Sequence, residues 1–119
     1  MLIVCNRERG RVEQWDTDGN RVKALLRDLR MPATAYVSGD YVAIGELKGR
    51  VTILRKDNRI VAQVGDNPNE SQCANYGLDP SQWTEAFATP FTASLLIAGN
   101  LIVAEWSQFG RILKFAVKK

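Results

Sequence analysis

The 119-residue chain contains no histidine. This removes the side chain best suited to proton transfer near neutral pH and the commonest metal ligand, so zinc chemistry held by imidazoles is excluded. Cysteine is scarce: Cys5 falls in a predicted strand and Cys73 in a long loop. Two cysteines make no disulfide framework, and neither has a histidine to activate it as a nucleophile. Free thiols in a cytoplasmic protein are expected. Long hydrophobic runs are missing as well. The longest, Ala93 to Ala98, includes a serine and is far too short to cross a bilayer. The opening MLIVCNRERG lacks the basic n-region and the long apolar core of a signal peptide. No membrane association is expected.

What is present is ordinary for one folded domain spanning residues 1–119, with 45% hydrophobic and 24% charged residues. A tripled unit organises it. The copies open near residues 2, 41 and 101 as LIVCNRERGRV, YVAIGELKGRV and LIVAEWSQFGRI. Each has a short apolar run, a polar link, a Gly-Arg pair and a second β-rich run. The pairs Gly10-Arg11, Gly49-Arg50 and Gly110-Arg111 are spaced 39 and then 61 residues apart. A period near 40 made of strands is the signature of a propeller blade or a similar stacked array.

Strands are predicted at Leu2–Cys5, Arg11–Trp15, Arg21–Leu26, Ala33–Ser38, Tyr41–Ile44, Arg50–Leu54 and Arg59–Val64. Three more follow: one to Ala98, one from Leu101, and one from Arg111 to about Val117. Asp18-Gly19 suits a tight turn, since glycine tolerates positive φ. The segment 65–90 replaces a short link and carries loop punctuation at Gly65, Pro68, Gly77 and Pro80. Its aromatics, Tyr76, Trp83 and Phe87, argue against disorder. Within it, Asp79 and Pro80 form the cap and first position of a short helix. Pro90-Phe91-Thr92-Ala93 echoes Pro32-Ala33-Thr34-Ala35, a second mark of the repeat.

Ten strands at four per blade make about two and a half blades, and a closed propeller needs at least four. The expected fold is therefore all-β, of propeller-like repeats completed by oligomerisation. Covering otherwise exposed edges and apolar faces is the physical reason to expect a homo-oligomer.

From Gly49 onward the sequence resembles NHL-type β-propeller repeats: GRVTILRKDNRIVAQVGDNP, then an aromatic loop, FATPF, and GNLIVAEWSQFGRILKF. The similarity is to the last blades of bacterial six-bladed propellers, some related to peptidyl-amidating lyases. It covers about two thirds of the chain well and the first third weakly. The resemblance implies metal-binding histidines on the inner strands, at a Pro-His pair. Pro90-Phe91 stands at that position here. The resemblance is thus one of frame rather than activity, and no cofactor or metal is expected.

The candidate site residues carry two readings each. The three arginines either grip a carboxylate or phosphate, or cap strand ends by pairing locally with Glu46 or Glu105. Those two glutamates could serve as a paired acid and base only by meeting in one cleft. By alignment of the unit starts, Glu105 matches Asn6 and Gly45 rather than Glu46. Thr34 and Thr92 fall early in the innermost strands, where a hydroxyl orients a small ligand or satisfies a neighbouring strand. Tyr76, Trp83, Phe87 and Trp106 supply either an interface patch or core.

Charge is uneven. Between Gly65 and Pro90 lie four acids and no Lys or Arg, so the rest of the chain carries +7 against the +3 of the whole. Arginines crowd the first thirty residues but are interrupted by acids, which disfavours nucleic acid as a partner. The function these features favour is a self-associating, non-catalytic module. It would bind a protein or small ligand through the 65–90 loop and adjoining sheet ends. A remnant hydrolase or lyase and a weak nucleic-acid binder are the alternatives.

Overall fold

The computed structural model describes residues 1–95 and 99–116. Among the described residues the chain is all-β, with ten strands in three antiparallel sheets. The first sheet runs β1 (Leu2–Asn6), β2 (Arg11–Trp15), β3 (Arg21–Leu26). The second is β4 (Pro32–Ser38), β5 (Tyr41–Glu46), β6 (Arg50–Arg55), β7 (Ile60–Val64). In the third, β8 (Pro90–Leu95) pairs with β9 (Leu101–Glu105), and β9 with β10 (Arg111–Phe115). The expected continuations to Ala98 and Val117 reach outside the described residues.

Local chemistry explains the connections. Asp16 Oδ1 accepts the N–H groups of Asp18 and Asn20 at 3.0 and 2.8 Å, closing the β2–β3 turn. Gly19 supplies its positive φ of 89°. The β6–β7 turn uses Asn58 at φ 65°, so Arg59 belongs to the turn and β7 starts at Ile60. Pro32 and Pro90 open β4 and β8, edge positions where a missing N–H breaks no ladder bond. In the long loop, Asp79 caps a single 3-10 turn at Pro80–Gln82 by accepting the Ser81 N–H.

The sheets stack face to face and approach most closely through β1, β4, β5 and β8. Alternation along each strand sorts the side chains. Val12 and Cys5 of the first sheet pack on Ile44, Leu54, Val42 and Ala35 of the second, with Leu29 of the linker. The other face of the second sheet, Ala43, Val51 and Ile53, packs on Ala93, Leu101 and Val103 of the third, with Phe87. The second sheet is therefore packed on both faces, with most of β5 and β6 buried.

The ladder also fixes how the units correspond. Asn6 pairs with Arg11, Glu46 with Arg50, and Glu105 with Arg111. This corrects the alignment expected from sequence: Glu105 matches Glu46, not Gly45. The reason is that β5 has six residues where β1 and β9 have five. A one-residue slip moves a side chain to the opposite face, and the pairing places Glu46 and Glu105 on equivalent faces of their sheets.

Candidate functional site

The end of each sheet that carries the Gly-Arg pair is a clamp. In the second sheet, Arg50 donates from Nε and Nη2 to the two oxygens of Glu46, at 3.0 and 2.8 Å. Thr52 Oγ1 donates to the same carboxylate at 2.6 Å, and the Arg30 N–H does so at 2.8 Å. Glu46 is fully buried, and its four donors satisfy a charge that would otherwise be costly to bury. Its hydrogen bonds push the Arg50 guanidinium pKa further up, against the lowering effect of burial.

The third sheet repeats the device. Arg111 Nε and Nη2 grip Glu105 at 3.2 and 2.8 Å, and the Ala88 N–H donates to Glu105 at 3.1 Å. Arg30 and Ala88 each lie two residues before a strand-opening proline, so each carboxylate ties down the linker entering its own sheet. The first sheet solves the problem differently. Asn6 stands at the glutamate position, and the carboxylate comes from Glu13, at the place of Thr52. Arg11 and Arg21 pair with Glu13 at 3.1 and 3.5 Å, and Asn6 Nδ2 donates to it at 3.3 Å. Burial alone would raise the Glu13 pKa. The Asn6 and Trp15 hydrogen bonds and the two arginines outweigh that and lower it.

The candidate acid and base thus sit in separate sheets, each enclosed by its own arginine. Both arginine forks of the second and third sheets are occupied within the chain. Among the described residues, no group of three Cys, Asp or Glu side chains is placed to hold a metal ion.

The long loop folds back over the third sheet. Phe87 is fully buried and meets Phe115 edge to face at 5.6 Å. Trp83 packs on Phe109 at 6.5 Å and lies under the Arg111 guanidinium at 5.0 Å, while its Nε1 donates to Leu78 O. Arg111 further donates to Thr84 O and Ala86 O at 2.6 and 3.0 Å. Phe87 and Trp83 therefore anchor the loop internally. Tyr76 and Trp106 form an exposed tilted pair, 5.3 Å between ring centres. Thr92 is exposed, whereas Thr34 is half-buried with its Oγ1 unpartnered.

One arrangement was not legible in the sequence. Arg7, Leu47 and Trp106 each directly follow the clamp position of their unit. All three line one open cavity of about 370 Å³, together with Cys5, Pro32 and Ala33. Leu47 and Trp106 are pinned alike, their N–H groups donating to Met31 O and Thr89 O at 2.9 and 2.8 Å. Glu46 and Glu105 repeat between the second and third units, whereas these three positions differ throughout: a cation, an aliphatic and an aromatic. Burial raises the pKa of the adjoining Cys5 thiol. The correct register of the clamp is the signal that would have brought the three together.

The two outer faces of the stack differ from the inner ones. Val12 and Val51, the residues after Arg11 and Arg50, are 1% and 0% exposed; Ile112, after Arg111, is 73% exposed. No helix among the described residues is long and apolar enough to cross a membrane. No protein-family model matches the chain, and no curated protein matches it.

Proposed function

We propose that the chain is a non-catalytic interaction module of propeller-like type that acts by self-association. Each sheet is one blade of an NHL-like array, and the array is completed by further copies. The observation that carries this reading is the exposure of Ile112 at a position that is buried in both other units. Covering one isoleucine contributes roughly 1.5–3 kcal/mol, and a whole sheet face contributes several such increments. The close approach of successive sheets through β1, β4, β5 and β8 supports the blade reading. The carboxylates closed off by arginines support the non-catalytic one.

In this reading the sheet ends around Arg7, Leu47 and Trp106 form the seat for a small ligand or a partner's side chain. The cytoplasm, where Cys5 and Cys73 stay reduced, is the compartment proposed. The test is the native mass from light scattering on a sizing column. A discrete multiple of 13.3 kDa is expected. A single-chain mass at every concentration would overturn the proposal.

A further inference from the structure

The two inner interfaces of the stack are built by one rule. The face of a sheet that carries the residue after the Gly-Arg pair receives the opposite face of the following sheet. Val12 on the first sheet is covered by Ile44 and Leu54 of the second. Val51 on the second is covered by Val103 and Leu101 of the third. On the third sheet the corresponding face carries Ile112, with Ile102 and Ala104 beside it by alternation, and no further sheet of the described residues covers it.

The complementary face also occurs once without a cover. On the first sheet, Leu2, Val4 and Trp15 occupy the positions that Val42, Ile44 and Leu54 occupy on the second, and Leu101, Val103 and Phe115 on the third. In those sheets the residues belong to the inner clusters. On the first sheet Leu2 is 51% exposed. The chain thus carries one unfilled socket and one unfilled plug of the same design. They cannot meet within a single chain, because the second sheet lies between them, packed on the first sheet by one face and on the third by the other.

We propose that the face of the third sheet around Ile112 docks on the face of the first sheet around Leu2 in a second copy, head to tail. The junction continues the two interfaces already present. It is heterologous, joining different patches of the two copies, in contrast to a two-fold contact of like with like. The inference rests on the self-association proposed above and specifies its geometry.

Two single variants and their mixture test it. Leu2→Asp buries a carboxylate in the plug, and Ile112→Asp does the same in the socket. Both positions are exposed in one chain, so the sheets form in each variant, which far-UV circular dichroism checks. At a concentration where the wild type is assembled, each variant alone is expected to run at the mass of one chain. An equimolar mixture is expected to run at twice that mass, because the Ile112→Asp copy keeps an intact plug and the Leu2→Asp copy an intact socket. If either variant alone keeps the wild-type mass, or if the mixture stays at one chain, the head-to-tail junction is wrong. A wild type that never assembles removes the self-association itself, a result distinct from an assembled wild type whose variants fail to complement.

Discussion

Glu46 concentrates the logic of the fold in one side chain. It is buried, it holds Arg50 in a two-point grip, and it reaches across to the Arg30 N–H of the incoming linker. Replacing such a pair by a well-packed apolar couple can be neutral. Removing one partner strands the other, at about 3–5 kcal/mol. Glu46→Ala should therefore lose stability of that order in urea titration; a loss below about 1 kcal/mol would show that the clamp is dispensable. Glu13 gives the pH-dependent counterpart. Its pKa is lowered in the folded chain, so the unfolded chain takes up the proton first as pH falls. Its contribution is complete above the ordinary glutamate range, near pH 4.3, and is lost as pH drops through the depressed folded value. Glu13→Gln should flatten the acid limb of the stability curve, read from urea midpoints at successive pH values. An unchanged limb would contradict the assignment. The arginines of this device were legible from their recurrence after glycine. Their partners were only half legible, because the glutamate position depends on a strand one residue longer in one unit, and because the first unit moves its carboxylate to Glu13.

At the scale of elements, glycine marks where a linker crosses a sheet. Gly49 has φ 94°, and a Cβ there would stand 2.2 Å from Phe87 O. The adjoining linker is also held by the Asn67 N–H donating to Gly49 O at 3.0 Å. Gly110 occupies the matching place with φ 68°, but a Cβ there meets nothing within 4 Å. Gly110→Ala should cost only the left-handed backbone penalty, about 1–2 kcal/mol. Gly49→Ala adds a backbone collision and should cost clearly more. Equal losses in thermal unfolding would show that the linker is not seated on Gly49. The ten strands were legible from alternation and turn chemistry, as was the capped turn at Asp79. The loop's aromatics were not sorted by sequence. Phe87 goes inward against Phe115 and Tyr76 stays outward against Trp106, long-range pairings with no local signature.

Over the molecule, three sheets bury two interfaces, and among the described residues two faces of the same design stay uncovered. Apolar patches of that kind mark interaction surfaces. The cavity bounded by Arg7, Leu47 and Trp106 lies at the clamp end of the stack, so an assembly that extends the stack would extend the ring of such positions. Strand alternation, turn chemistry and the repeated Gly-Arg unit foretold the all-β class. They could not foretell which faces stay open, since that follows from stacking order rather than from any single unit. Small-angle X-ray scattering on the wild-type chain over a concentration series tests whether copies stack head to tail. One chain has a radius of gyration of 14.2 Å and extents of 46 × 33 × 20 Å. Head-to-tail stacking gives a scattering mass at a multiple of 13.3 kDa and a radius well above 14.2 Å once assembled. A particle of one chain's mass, with a radius that stays near 14.2 Å throughout the series, would contradict it.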